Sequence, residues 1–199
     1  YLTKNNRYSS ELAQKAVDAL VKAATNLSDD LYEANKEVYK LLRYGVTVRE
    51  ELGQPKETVW LIDWKNTTNN DFAVAEEVTV AGKHIKRPDV VLFVNGIAIG
   101  VIELKRSKVG VEEGIRQNLD NQKPEFIEKY FTTMQLVMAG NDTQGLRYGT
   151  IETSEKYYLR WKEESDKEFD YLLDKHISQL CEKSRILELI HDFIVFDKG

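Results

Sequence analysis

The stretch RPDVVLFVNGIAIGVIELKRS, residues 87–107, decides how this chain is read. Two apolar runs, residues 90–94 and 97–102, flank Asn95-Gly96. Asn-Gly between such runs is the strongest short signal for an antiparallel hairpin. The runs are apolar at nearly every position, so both faces of each strand are covered and the hairpin belongs inside a sheet. Asp89 stands at the start of the first run, and Glu103 and Lys105 at the end of the second. All three therefore fall at the open end of the hairpin, where charge is costly unless it is paired or bound to a metal.

The register tests whether they meet. Glu103 and Lys105 are two residues apart and share a face. A two-residue loop pairs Val94 with Ile97 and carries Asp89 opposite Ile102, on the wrong face. A three-residue loop, with Gly96 as the left-handed residue of a bulge, pairs Phe93 with Ile97 and sets Asp89 opposite Val101, on the face of Glu103 and Lys105. The sequence thus predicts that bulge or an equivalent one-residue irregularity. Two carboxylates on one face are hard oxygen ligands suited to Mg²⁺, with the Leu104 carbonyl as a third protein oxygen. Lys105 then stands where it can hold a water or offset charge developing on a phosphate. The plainer alternative is a strand-end salt bridge from Glu103 to Lys105 or Lys86, worth little.

Working outward, apolar residues recur at helical spacing over residues 10–27 (Leu12, Ala16, Leu20, Ala24) and 29–44 (Leu31, Ala34, Val38, Leu41, Leu42), with Gly45 placed to end the second helix. ETVWLIDW, residues 57–64, and FAVAEEVTV, residues 72–80, read as strands, the second with Phe72, Val74, Val78 and Val80 on one side. Gly82 marks a turn leading into the hairpin. A helix is predicted over residues 111–122, two further strands over 131–140 and 145–153, and a helical tail over 166–193 with a phase slip near Ser184. Helices, then strands, then a helix and more strands predict an α/β fold with one mixed central sheet flanked by helices.

The bulk properties set limits. A chain of 199 residues with 42% hydrophobic and 31% charged residues is an ordinary globular composition. A net charge of −5 argues against a chain-wide electrostatic grip on nucleic acid, though not against a local basic rim. The single cysteine, Cys181, forms no internal disulfide, so a cytoplasmic setting is expected. No apolar run approaches the roughly 20 residues of a membrane span, and no membrane association is expected. The chain opens on Tyr1 and ends in FDKG, which reads as a segment of something longer.

With these residues in view, the stretch resembles the N-terminal nuclease region of the R subunit of type I restriction enzymes, the restriction and translocation subunit. That family carries a PD…ExK site, matched here by Pro88-Asp89 and Glu103-Leu104-Lys105. The similarity continues through GIRQNLDNQKPEFIEKYF, MQLVMAGNDTQGLRYGTI, YLRWKE and LIHDFIVFDKG. The resemblance implies a restriction-endonuclease-like nuclease domain over residues 1–165, with residues 166–199 leading toward a motor domain outside the chain. It implies Mg²⁺-dependent cleavage of double-stranded DNA, with Asp89 and Glu103 (and the Leu104 carbonyl) as metal ligands and Lys105 as a catalytic residue. The family often has Gln-x-x-x-Tyr on the following helix. Gln117 matches the Gln and is a candidate phosphate contact, but Asn121 stands where Tyr is usual. Glu33 and Glu37 are candidates for a glutamate from the first helices, with surface placement as the alternative. The modification and specificity subunits are the implied partners. ATP belongs only to the full-length subunit, and no Gly-x-x-x-x-Gly-Lys-Ser/Thr loop occurs here. Lys83, Lys86, Arg87, Arg106 and Lys108 rim the site as phosphate contacts or as solvated charge. A non-catalytic scaffold of the same fold, joining motor to modification subunits, is the rival reading. A nuclease acting alone on DNA ends is a third.

His84, His176 and His191 are in no metal-ligand spacing. Cys181 on the helical tail reads as core. Trp60, Trp64 and Trp161 can stack on bases, but packing is the commoner use.

Overall fold

The computed structural model describes residues 1–5, 8–28 and 30–197. The expected helix start at Asp29, and Lys198 and Gly199 of the FDKG end, lie outside the described residues. Helix α1 (Ser10–Thr25) begins where the Ser9 side chain accepts from the Leu12 N–H at 3.2 Å, and α2 (Leu31–Tyr44) where Asp30 accepts from Glu33 at 2.8 Å. Gly45, at φ +75°, ends α2 as expected, and a side chain there would collide with Thr58. A small antiparallel pair follows, β1 (Val46–Val48) with β2 (Glu57–Val59). The long strand predicted over residues 57–64 is therefore confined to its first three residues. Leu61 and Ile62 beyond it are buried as irregular chain.

Strand β3 (Phe72–Glu76) stops at Glu77, which takes φ +51°. The predicted continuous strand over residues 72–80 is broken there, and Val74 lies 65% exposed on the sheet edge. A short hairpin, β4 (Val80–Ala81) and β5 (Ile85–Lys86), comes next, followed by β6 (Val90–Val94) and β7 (Ile97–Leu104). Helix α3 (Val111–Asn121) crosses over to β8 (Leu136–Asn141), which turns into β9 (Gly145–Gly149) and β10 (Leu159–Arg160). The tail forms α4 (Leu172–Leu180), α5 (Lys183–Glu188) and a π-helical turn over Leu189–Phe193. The break at Cys181 and Glu182 is the predicted phase slip, two residues early.

The main sheet has the order β10-β9-β8-β7-β6-β3, antiparallel except for the β7–β8 pair. A parallel pair needs a crossover, which α3 supplies. The β6–β7 hairpin is interior to the sheet, as its apolar runs require. One face of the sheet packs on α1, α2 and the tail through Leu20, Leu42, Ile102, Met138, Leu180 and Ile190. The other is covered by α3 and the segment leading to β8, through Val101, Val137, Phe131, Ile115 and Ala139. This is a restriction-endonuclease-like α/β fold. No helix among the described residues is long and apolar enough to cross a membrane.

Candidate active site

The hairpin turn differs from the expected three-residue loop. Asn95 and Gly96 take φ +52° and +82°, and Val94 pairs with Ile97 across a two-residue turn. Both positive φ values match the primed turn that follows strand twist. The one-residue irregularity sits deeper: Phe93 pairs with Ala98 but Leu92 with Gly100, leaving Ile99 as the extra residue of β7. Below it Val91 faces Val101 and Val90 faces Ile102. Asp89, one residue before β6, accepts from the Leu104 N–H and acts on the Glu103 carboxyl, so it meets Glu103 rather than Val101. The expected outcome, Asp89 and Glu103 on one face, is reached by a different bulge.

Each side chain at this end of the hairpin has a defined place. Asp89 Oδ2 accepts from the Leu104 N–H at 2.7 Å, so a carboxylate rather than a backbone carbonyl receives a β7 N–H beyond the residues paired with β6. Glu103 is buried, with its side chain 3% exposed. Its Oε1 accepts from Lys105 Nζ at 2.8 Å, while its Oε2 is buried with no hydrogen-bond partner. Lys105 Nζ also donates to Gln117 Oε1 at 2.7 Å, so the expected helix residue is brought to the site. The salt bridge offered as the plain alternative is therefore present, to Lys105 and not to Lys86, whose ammonium lies 4.3 Å over the Phe126 ring. It does not satisfy the second glutamate oxygen.

Burial pushes the Glu103 carboxyl above its usual pKa. The Lys105 hydrogen bond pulls it back, the Asp89 charge pushes it up again, and the net shift is upward. A buried carboxyl oxygen with no partner, facing a second carboxylate, is satisfied either by a proton shared with Asp89 or by a cation. Two carboxylates so placed fit a hard divalent ion, whose remaining positions the Leu104 carbonyl and waters would have to fill. Among the described residues no group of three or more His, Cys, Asp and Glu side chains is gathered. A metal held here would need its other ligands from backbone, water or substrate.

The helix that carries Gln117 is set by features the sequence reading passed over. Gly114, one turn earlier, brings α3 against the sheet: an added Cβ would sit 3.0 Å from Ala139 Cβ and 3.5 Å from Lys105 Cγ. Asn118 Nδ2 donates to the Met138 carbonyl at 2.8 Å. A glycine and an asparagine inside a helix were the available signals. Asn121, at the usual Tyr position, is buried with its Oδ1 unpartnered. Glu33 and Glu37 bind Lys36 and Lys40 at 3.4 and 2.6 Å along α2. Asn35, between them, donates instead to the carbonyls of Phe131, Thr132 and Met134. Trp64 donates to the Leu42 carbonyl at 3.0 Å and walls a cleft of about 970 Å³ with Arg43, Tyr44, Trp60 and His191; none of the site residues lines it.

A crossover-linked mixed sheet with an acidic pair and a lysine at one end of an interior hairpin defines a protein of the restriction-endonuclease-like fold. The chain belongs to the family described as the type I restriction enzyme R protein N terminus, whose model matches residues 1–156. It is 30% identical over 209 residues to the type I restriction enzyme HindI endonuclease subunit of Haemophilus influenzae, covering 96% of this chain and 19% of that protein. It is 26% identical over 149 residues to the EcoprrI endonuclease subunit of Escherichia coli, covering 72% of this chain and 47% of that protein. The chain spans about one fifth of the length of the HindI subunit.

Proposed function

We propose that this chain is the DNA-cleaving region of a type I restriction enzyme R subunit, hydrolysing phosphodiesters of double-stranded DNA with Mg²⁺. The observation that carries the reading is the orphaned, buried Oε2 of Glu103 set against Asp89 and beside Lys105. Asp89, Glu103 and the Leu104 carbonyl would hold the ion. When bound it supplies Lewis-acid stabilisation of phosphate charge and acidifies a water. Lys105, held by Glu103 and Gln117, keeps an ammonium beside the carboxylates, where it orients the attacking water and offsets the charge that builds on the phosphate. Gln117 spends its carbonyl oxygen on Lys105 and keeps its NH₂ group as a donor for a phosphate oxygen. The residues 1–165 form the nuclease unit in this reading, and 166–199 lead toward a motor elsewhere in the subunit. ATP-driven translocation belongs to that motor, and the modification and specificity subunits complete the complex in a cytoplasmic setting.

Calorimetry with Mn²⁺ tests the site. Binding by this chain, lost in Asp89→Ala and Glu103→Ala, is expected, as is loss of cleavage by the assembled enzyme carrying either change or Lys105→Ala. No Mn²⁺ binding, with full cleavage by those variants, sinks the metal assignment. No binding with no cleavage by the unaltered complex selects the non-catalytic scaffold.

A further inference from the structure

The catalytic pair occupies one row of the sheet, and the same row ends in a second like-charged pair. Glu103 on β7 is abreast of Ala139 on β8, Ala139 of Arg147 on β9, and Arg147 of Arg160 on β10. Residues abreast across strands project to one face, so Asp89, Glu103, Arg147 and Arg160 all belong to the face that α3 covers. Like charges directly opposite on neighbouring strands are destabilising. Arg147 is half-buried and Arg160 exposed. Arg147 donates to the Gln144 carbonyl at 3.0 Å. Among the described residues no carboxylate lies within ion-pair distance of either guanidinium. Glu112 reaches Arg147 only through its field, and Glu163, near Arg160, pairs with Arg185 at 3.5 Å. Burial and then Arg160 hold Arg147 below the usual arginine range. Lys175 and His176 of α4 share a shallow depression with Arg160, on whose wall Lys162, Glu163 and Glu164 also lie.

A chain of net charge −5 that leaves two arginines unneutralised and abreast is breaking a local rule without a structural return. Guanidinium pairs of this kind are matched by the oxygens of a phosphate. We infer that Arg147 and Arg160 form a phosphate-binding subsite that holds the nucleic-acid backbone to one side of the cleavage site. This rests on the proposed nuclease function for its meaning but not for its test. Strand spacing puts Arg147 about 10 Å and Arg160 about 14 Å from Glu103 along the row. Phosphates advance about 3.4 Å along a duplex axis per nucleotide, so the straight-line separation sets a minimum of about three to four base steps between the subsite and the scissile bond. The first turns of α3, with Gly114 close over Ala139, separate it from Lys105 on that face. A single extended ligand spanning both fits better than two small ones.

The experiment is duplex DNA binding by this chain, followed by fluorescence anisotropy with EDTA present, across a salt series starting at low ionic strength. Arg147→Gln and Arg160→Gln are each expected to weaken binding several-fold and to lower the slope of log affinity against log salt by about one. Arg160→Lys should retain the slope. Lys22→Gln, on the far helix α1, should change nothing. Arg160→Gln should melt no lower than the parent chain, since it removes a repulsion. Unchanged affinity and slope in both glutamine variants, no salt-dependent binding by the parent, or an equal loss in Lys22→Gln each overturns the inference. So does displacement of the DNA by inorganic phosphate well beyond the effect of chloride at equal ionic strength, which assigns the pair to a free anion. Equal affinity for an acidic peptide, with the same arginine dependence, assigns it to protein and likewise overturns it. Mn²⁺ calorimetry on the same variants keeps the two proposals apart. Arginine-dependent DNA binding without metal binding leaves the subsite and removes the nuclease reading; metal binding with arginine-independent DNA affinity does the reverse.

Discussion

The two ends of one row across the sheet make the same electrostatic error with opposite sign. At the open end of β6–β7 the Asp89 carboxylate acts on that of Glu103; at β9–β10 two guanidinium groups stand abreast. The difference is solvent. Glu103 is buried, so its repulsion from Asp89 acts in a low dielectric and the structure answers it with Lys105 at 2.8 Å. Arg160 is exposed, so water screens its repulsion from Arg147 and the described chain supplies neither with an ion-pair partner. A buried conflict must be built around; an exposed one can be left standing for a ligand. The first is therefore the place to look for large effects, and the second for small ones.

The comparison breaks most sharply at Glu103. Glu103→Gln keeps an acceptor for Lys105 and removes the charge whose second oxygen has no partner. We expect cleavage by the assembled enzyme to fall about a thousandfold or more, while the metal-free chain, relieved of the repulsion from Asp89 that raises the Glu103 pKa, loses no stability. Nuclease assays and denaturant unfolding of the same variant check both signs. A variant that loses stability would place the glutamate charge in a satisfied site. Lys105→Ala runs the other way. It strands a buried carboxylate and should cost about 3 kcal/mol in denaturant unfolding. Gly114→Val presses a branched side chain against Ala139 and the Lys105 stem. It should cost about 2 kcal/mol, read by the same unfolding series, and lower cleavage with it.

The smallest effect lies at the basic end. His176 Nδ1 accepts from the Leu146 N–H at 3.0 Å, so the proton of the neutral ring is on Nε2. Burial, then Arg160, hold its pKa below the usual imidazole value. The folded chain therefore binds this proton less readily than the unfolded chain. The contribution is complete above about pH 6.5 and is lost as pH falls from there toward the lowered folded pKa. The thermal midpoint should thus drop on acidification through that window. His176→Gln, which keeps an acceptor for Leu146, should flatten the drop, and Arg160→Gln should make it shallower. An unaltered pH profile in both variants would separate His176 from the arginine pair.

Much of the site was legible before any coordinates. Asn95-Gly96 between unbroken apolar runs called for an interior hairpin, and the acids beyond those runs could only gather at its open end. A helix was expected over residues 111–122, and the resembled family's Gln-x-x-x-Tyr pattern made Gln117 a candidate. What was misread was local in kind. The bulge was expected at Gly96, the residue with conformational freedom, but it formed at Ile99, whose side chain is fully buried. Where a strand slips is decided by what its neighbours can enclose, and β8 and the helices are distant in sequence. Alternation likewise promised that Val74 would face inward. On an edge strand with one neighbour, nothing covers that position.

By itself the sequence determined the α/β class, the hairpin and the set of residues that carry its charge, because turn chemistry and hydrophobic period act over a few neighbouring residues. The pairing of Asp89 with Glu103 by way of Ile99, the clasp of Gln117 on Lys105, and the row that runs on to Arg147 and Arg160 were decided only in the folded chain. Each depends on which strand lies beside which. Strand order is set by packing between segments tens of residues apart, and no short window of sequence contains that information.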